Sequence, residues 1–142
     1  MIAVVDASVA IKWFLFFKPE EGDADKALHL LEQAALGRIT LHQPPHFIAE
    51  VAAVLAREKP AEAHDDILDL MAVEYHTDTS PDLYATALDL AIRHQHHLFD
   101  TLYHALALHT PGATLITADR RYYDKARSSG RIALLADWDL PR

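Results

Sequence analysis

Four acidic residues lie in surroundings that are otherwise apolar: Asp6, Glu50, Asp100 and Asp119. Asp6 and Asp119 each follow a short run rich in β-branched residues, where a strand would end, whereas Glu50 and Asp100 lie within helical patterns. An ionised carboxylate in an apolar stripe is costly unless a cation neutralises its charge. Mg²⁺ and Mn²⁺ prefer carboxylate oxygen and water as ligands. The four carboxylates together therefore predict a site for a divalent cation.

Each carboxylate has a simpler explanation when it is considered alone. Either of the acids that follow a strand could cap the next helix, and Asp100 could cap the helix that it begins. Glu50 could pair with a base such as Lys12 or Arg57. One such residue is weak evidence for a metal site, so the prediction depends on the four being brought together.

Short β-branched runs alternate with longer segments of helical periodicity, a pattern typical of an α/β domain with a mainly parallel sheet. Strands are predicted at about residues 2–5, 39–42, 113–117 and 132–135, with a short fifth strand at 75–78. Helices are predicted at about residues 7–17, 21–36, 44–57, 61–73, 80–94, 99–109 and 119–128. Ligands bind outside the carboxyl ends of parallel strands, so Asp6 and Asp119 are expected at one edge of the sheet.

The helix at 7–17 is apolar on nearly every side, and such a helix must be covered on both faces. The helix at 44–57 is predicted to begin with a pair of prolines, which fit a first turn, and Ser80 with Pro81 is predicted to start the helix at 80–94. The helix at 61–73 carries an apolar stripe that is expected to face the core, formed by Ile67, Leu68, Leu70 and Met71.

The composition is that of a packed globular protein. The 142 residues are 51% apolar and 24% charged, which predicts a single domain spanning residues 1–142. No cysteine is present, which excludes a disulfide framework and a thiolate metal site and makes the cytoplasm the expected location. The apolar N-terminal run lacks a basic leader and contains Asp6 and Lys12, so it is interpreted as a strand and a helix rather than a signal peptide. No stretch approaches the roughly 20 apolar residues of a membrane span, so no membrane association is expected.

The net charge of −8 is concentrated in one region of the chain. Residues 60–118 contain nine acids and the single base Arg93, whereas from residue 118 onward six bases face four acids. A protein that bound nucleic acid by bulk electrostatics would carry a broader basic surface. A polyanionic substrate would therefore need a bound divalent metal to hold it.

Four segments resemble those of PIN-domain ribonucleases, and specifically VapC-type toxins of toxin–antitoxin pairs: VVDASVAIKW, FIAEVAAVL, FDTLYHALA and LITADRRYYDKA. They follow the order and spacing of the family from Val4 to about Ala126. The resemblance implies a PIN-like three-layer α/β/α sandwich with a four- to five-stranded mainly parallel sheet. The sequence departs from the family at Val54, near which the family often has Asn, and in the strongly acidic 60–118 region.

The resemblance also implies a site and an activity. Asp6, Glu50, Asp100 and Asp119 fall on the family's acidic cluster, which holds Mg²⁺ or Mn²⁺, and Thr117 falls on a Ser/Thr whose hydroxyl supports a metal-binding carboxylate. The implied reaction is metal-dependent hydrolysis of RNA phosphodiester bonds by an activated water, leaving 5′-phosphate and 3′-hydroxyl ends. Metal-free protein is then expected to have at least one carboxyl pKa raised by the repulsion among the carboxylates. The implied partners are an RNA substrate, a cognate antitoxin protein and a second copy of the chain.

Two pairs of residues after Asp119 have alternative interpretations. Arg120 and Arg121 are predicted to contact substrate phosphates, although a solvated helix start would also explain them. Tyr122 and Tyr123 can stack on RNA bases, but at least one is expected to pack into the core.

Other functions remain open at this stage. The same fold could serve a housekeeping nuclease of RNA processing or a catalytically silent binding module, and a receiver-like phosphoacceptor domain is disfavoured because only Asp6 stands at the first strand. His97, Asp100 and His104 have the helical spacing of a zinc or non-haem iron site. The preferred interpretation instead places His104 beside the acidic cluster or at a helix surface, and puts His94, His96 and His97 in a solvated helix end and loop.

Overall fold

A four-stranded parallel sheet forms the frame of the protein in the computed structural model, which describes residues 1–139. The strands are β1 (Ile2–Val5), β2 (Thr40–Leu41), β3 (Ala113–Thr117) and β4 (Ile132–Leu134), in the spatial order β2-β1-β3-β4. Residues 2–5 of β1 pair with residues 113–116 of β3, so these two strands end side by side. The expected α/β sandwich on a parallel sheet is confirmed, with four strands in the part of the chain that is described.

Eight α-helices connect and cover the strands within residues 1–139. They are α1 (Ala7–Ala10), α2 (Lys12–Leu15), α3 (Ala24–Ala35), α4 (Phe47–Glu58), α5 (Ala63–Met71), α6 (Pro81–His94), α7 (Leu98–His109) and α8 (Arg120–Ala126). Helix α7 packs against both β1 and β3, and its residues 101–107 are all buried. This helix is therefore part of the core, and its first turn points to the carboxyl edge of the sheet.

Several predicted boundaries are corrected. The helix expected at 7–17 is interrupted at Ile11 and ends at Leu15, and the next two residues, Phe16 and Phe17, are 55% and 56% exposed. The pair Pro44 and Pro45 precedes α4 rather than forming its first turn, because α4 begins at Phe47. The strand expected at 75–78 is reduced to a single parallel bridge between residues 42 and 76.

The apolar stripe predicted for α5 is wrong in part. Leu70 is fully buried and Ile67 is partly buried, but Leu68 and Met71 are 67% and 63% exposed. Helix α5 packs mainly on α4, and within residues 1–139 the side that carries Leu68 and Met71 is left exposed.

A buried glutamine completes the sheet beside the end of β1. The backbone of β2 leaves the ladder after Leu41, and the Gln43 side chain takes its place against Val5. Its Oε1 accepts a hydrogen bond from the Val5 amide, and its Nε2 donates to the Val5 carbonyl, each at 2.8 Å. Because Asp6 follows Val5 directly, this amide fixes the backbone from which the Asp6 carboxylate projects.

We predict that Gln43→Met destabilises the protein by about 2–4 kcal/mol. The substitution keeps the approximate volume but leaves the two Val5 backbone groups buried without partners, each costing about 1–3 kcal/mol. Urea unfolding monitored by circular dichroism measures the loss. Thr40→Val, at an exposed position of β2, is the control and should change stability by less than about 0.5 kcal/mol. Equal stabilities for the two variants would contradict the assigned role of Gln43.

Candidate metal centre

The four carboxylates that the sequence singled out converge at the carboxyl edge of the sheet. Asp6 follows β1, Asp119 lies two residues after β3, and Glu50 and Asp100 lie in the first turns of α4 and α7. One oxygen each from Asp6, Glu50 and Asp100 lies within 4.8 Å of the others. Asp100 also belongs to a second group of the same compactness, with Asp119 and His96. Asp100 is thus shared by two adjoining groups of possible metal ligands.

Asp6 is held in place by neutral hydrogen-bond donors. Its Oδ2 accepts from the Ser8 amide at 3.1 Å, from the Ser8 hydroxyl, and from the Thr117 hydroxyl at 3.4 Å. The Thr117 oxygen in turn accepts from the Asp119 amide at 3.0 Å. Thr117, itself buried, therefore links the acids at the ends of β1 and β3.

The pKa of Asp6 is raised to about 6, chiefly by burial. The charges of Asp100 and Asp119 add to the rise, and the Ser8 hydrogen bonds oppose it. Burial likewise raises the pKa of Glu50 to about 7, with contributions from the charges of Asp6 and Asp100. Both shifts reflect burial first and the repulsion among the carboxylates second. At least one carboxyl pKa is raised, as expected from the sequence, but burial rather than repulsion is the larger cause.

Glu50 contacts a tyrosine and a histidine. The Tyr103 hydroxyl donates to Glu50 Oε1 at 3.2 Å, and His46 Nε2 lies 3.6 Å from Oε2. The two bases considered as partners of Glu50 from the sequence are paired elsewhere, Lys12 with Glu21 at 2.8 Å and Arg57 with the neighbouring Glu58. The simpler ion-pair explanation of Glu50 is therefore wrong.

The capping explanations and the cluster are compatible. Asp6 caps α1 through the Ser8 amide, and Asp119 caps α8 through the Tyr122 amide at 3.0 Å. Asp100 is not a cap, because it lies inside the first turn of α7 and its Oδ2 binds a histidine.

That histidine is His96, which sequence reasoning placed in a solvated loop. Its side chain is only 8% exposed, and its Nε2 lies 2.8 Å from Asp100 Oδ2 and 3.8 Å from Asp119 Oδ2. The Lys125 ammonium, 3.3 Å from Nδ1, can only donate, so Nδ1 accepts and Nε2 carries the proton that is donated to Asp100. The i, i+4 spacing from His96 to Asp100 was the available signal, but His97 and His104 lie three and four residues from Asp100 and offered similar pairs.

The alternative zinc or iron set formed by His97, Asp100 and His104 is wrong. His97 is exposed, and His104 is fully buried with both ring nitrogens engaged. Its Nε2 donates to the Gly130 carbonyl at 2.7 Å, which leaves Nδ1 to accept from the Tyr122 hydroxyl at 2.8 Å. Burial also lowers the pKa of His104, which favours the neutral ring.

The residues after Asp119 divide between surface and core. Arg120 and Arg121 are exposed at the start of α8. Tyr122 is buried, as expected for at least one of the two tyrosines, whereas Tyr123 is partly exposed and stacks with Arg127.

The donor set fits a hard divalent cation. Carboxylate oxygens from Asp6, Glu50 and Asp100 lie close enough to share one ion. A cation there would offset the burial and the mutual repulsion that raise the pKa values of Asp6 and Glu50. The fit concerns ligand type and spacing, and it applies to Mg²⁺ and Mn²⁺ alike.

Comparisons with known proteins agree with this geometry. A sequence model of one family, described as PIN domain, matches residues 3–128. A search of curated proteins finds no match. Within residues 1–139, no helix is long and apolar enough to cross a membrane.

Three solved structures share the fold at TM-scores of 0.65. PAE2754 from Pyrobaculum aerophilum is 19% identical, with 96% of this chain and 90% of that chain covered. VapC20 from Mycobacterium tuberculosis, described as a sarcin–ricin loop cleaving toxin, is 16% identical, with coverage of 86% and 93%. VapBC2 from Rickettsia felis, bound to a DNA fragment from its promoter, is 17% identical, with coverage of 94% and 97%. At these identities the likeness establishes the fold alone.

We predict that, without divalent metal, Asp6→Asn is more stable than wild type at pH 8 by about 2–3 kcal/mol. Folding raises the pKa of the Asp6 carboxyl from 3.8 to about 6. At a pH above about 6 the carboxyl is ionised in both states, and its charge then destabilises the folded state relative to the unfolded state. The difference should shrink as pH falls through about 6, because the folded wild type then binds the proton. Urea unfolding in chelator at pH 5, 6, 7 and 8 measures it.

The comparison with Asp6→Asn reports the Asp6 carboxyl together with the effect of its charge on Glu50, because histidines with lowered pKa values contribute equally to both proteins. Added Mg²⁺ or Mn²⁺ at pH 8 should stabilise the wild type and narrow the difference. If the metal-free wild type is more stable than Asp6→Asn at pH 8, ionisation of Asp6 does not destabilise the folded protein and the prediction is wrong.

Proposed function

We propose that this chain, which belongs to the PIN-domain family, is a metal-dependent endoribonuclease and the toxin of a type II toxin–antitoxin system. The observation that carries the nuclease proposal is the carboxylate cluster at the end of β1 and β3, with raised pKa values for Asp6 and Glu50. With a divalent cation held by its oxygens, such a cluster would suit a reaction in which negative charge accumulates on a phosphate.

The metal ligands in this proposal are Asp6, Glu50, Asp100 and Asp119. A divalent cation held there would lower the pKa of water and neutralise charge on the phosphate. Thr117 holds Asp6 and the start of α8, while Tyr103 and His96 orient Glu50 and Asp100 through single hydrogen bonds. Fixed donors of this kind keep the ligand oxygens in one arrangement before substrate arrives.

Hydrolysis of RNA at this site would join a water oxygen to phosphorus and break the bond from phosphorus to the 3′ oxygen. The products are a 5′-phosphate and a 3′-hydroxyl, and the 2′-hydroxyl of the RNA takes no part. No protein nucleophile is required, because water is the attacking group. Arg120 and Arg121, exposed beside Asp119, are proposed to contact the RNA phosphates.

The toxin proposal draws on the neighbours in structure. Of the three, one is described as a toxin that cleaves the sarcin–ricin loop, and another as a VapBC complex. A groove of about 510 Å³ between α4 and α5 supports a protein partner, because its walls are largely apolar: Ala52, Ala56, Pro60, Ala63, His64, Ile67 and Leu68. We propose that an antitoxin segment docks in this groove in helix-in-groove fashion.

A second apolar surface supports a homodimer. On α6, Tyr84, Leu88 and Ile92 are spaced four residues apart and are 38%, 50% and 75% exposed. Residues four apart lie on one face of a helix, so these three form a continuous stripe on its outer side. A stripe of this kind can pack against its own copy across a two-fold axis.

We predict that the purified chain cleaves a mixed RNA pool with Mg²⁺ or Mn²⁺ and leaves 5′-phosphate ends. Chelator, Asp6→Asn and Asp100→Asn should each reduce the rate by at least about 100-fold, because each removes a part of the electrostatic stabilisation worth several kcal/mol. End-group analysis of the products identifies the scissile bond. Arg38→Gln, which precedes β2 at the opposite edge of the sheet, is the control and should cleave normally.

Cyclic-phosphate ends would exclude a water nucleophile. No cleavage by refolded, metal-loaded protein would instead favour a silent binding module on the same fold.

We predict that expression of the wild type arrests growth and that Asp100→Asn does not. A small protein encoded beside the gene should relieve the arrest and purify with the chain, and light scattering should give the free chain the mass of two copies. RNA cleavage without growth arrest would favour the housekeeping nuclease.

A further inference from the structure

A cavity of about 320 Å³ opens beside the carboxylate cluster, on the side of His96. The end of α6, the loop before α7 and the helix α8 form its walls. The residues that line it are Ala91, Gln95, His96, His97, Arg121 and Lys125. This volume is at the lower end of small-ligand pockets and leaves room for a phosphate with part of its sugar.

The cavity is cationic in a chain whose net charge is −8. Arg121 and Lys125 lie four residues apart on α8 and therefore share one face of the helix. Among residues 1–139, neither has a carboxylate oxygen within 4.0 Å, whereas Lys12, Lys18, Arg57 and Lys59 are all paired with acids. Both charges thus remain available to an anion.

One wall of the cavity is continuous with the cluster. Lys125 donates to the Gln95 carbonyl at 3.2 Å and to His96 Nδ1 at 3.3 Å, which holds the ammonium at the rim. The opposite nitrogen of the same ring donates to Asp100. A single imidazole therefore separates the unpaired bases from the proposed metal ligands.

We propose that this cavity is a phosphate subsite, in which Arg121 and Lys125 together hold one backbone phosphate of the RNA beside the scissile bond. The inference rests on the proposed nuclease function and adds to it Lys125 and a defined place for Arg121. The bases hold a phosphate that is not attacked, while the carboxylate cluster receives the phosphate that is.

The cavity suits a nucleic acid better than an acidic peptide. A single-stranded RNA presents successive phosphates on one chain, so one strand can reach both the cluster and the cavity across His96. The cavity walls are mainly polar or charged, with Ala91 as the one apolar side chain, which suits a phosphate more than an apolar anchor. An acidic segment of a protein partner is the competing occupant, and the experiment distinguishes it.

The test measures the affinity of a fluorescent single-stranded RNA by anisotropy over a range of salt concentrations. All proteins carry Asp6→Asn, which slows cleavage and lies in the group of carboxylates that does not include His96. The double variant Arg121→Gln/Lys125→Gln should bind about fivefold more weakly at 0.1 M salt. Its slope of log affinity against log salt should fall by about 0.7, the value for one phosphate of a single strand.

A second arm replaces single RNA linkages by neutral methylphosphonates. At one linkage beside the scissile bond, the replacement should weaken binding to the parent protein about fivefold and have no effect on the double variant. Arg38→Gln is the matched control, with one base removed far from the cavity, and should keep the salt slope of the parent.

Three results would overturn the subsite. The first is a salt slope for the double variant that equals that of the parent. The second is that no neutral linkage weakens binding to the parent while leaving binding to the double variant unchanged. A third is normal RNA binding with loss of antitoxin binding, which would assign the cavity to a protein segment. Cleavage of RNA by the wild type in these cases would leave the nuclease intact, whereas failure of the wild type both to bind and to cleave RNA would reject the function and the subsite together.

Discussion

The burial of mutually repelling carboxylates at one edge of the sheet is the constraint around which this structure is arranged. Burial and neighbouring charge raise the pKa of Asp6 to about 6 and that of Glu50 to about 7, so the fold itself works against ionisation there. A protein keeps such a cost only where the geometry is held by the rest of the fold. Here the framework is the parallel pair β1 and β3, whose ends lie side by side, and α7, whose buried body fixes its first turn.

The groups in direct contact with the cluster supply hydrogen bonds and little positive charge. Ser8, Thr117 and Tyr103 donate from hydroxyls, and His96 donates from a ring nitrogen. A lysine or arginine at these places would neutralise the cluster permanently. Neutral donors instead orient the oxygens and leave their charge free for a cation. Arg121 and Lys125 line a cavity on the far side of the His96 ring, so a positive region adjoins the carboxylates without cancelling their charge.

The surface away from the cluster carries apolar residues that the chain does not cover. Phe16, Phe17, Leu68 and Met71 are all more than half exposed, and α6 has its own apolar stripe. Exposed apolar surface on this scale is typical of proteins that bind partners. The sequence predicted Leu68 and Met71 as core because periodicity shows which side of a helix is apolar, but not what lies against that side.

The order of elements and the identity of the four carboxylates could be predicted from the sequence. Local patterns are sufficient for both, because strand and helix periodicities differ and an acid after a strand stands out in apolar surroundings. The roles of Gln43, Tyr103 and His96 were decided only by the tertiary structure. The Gln43 side chain pairs with the backbone of Val5, 38 residues away in sequence. The Tyr103 hydroxyl binds Glu50 across 53 residues, and His96 rather than His97 contacts Asp100. These contacts depend on how separate elements pack against each other, and the residues next to a side chain in sequence do not determine that packing.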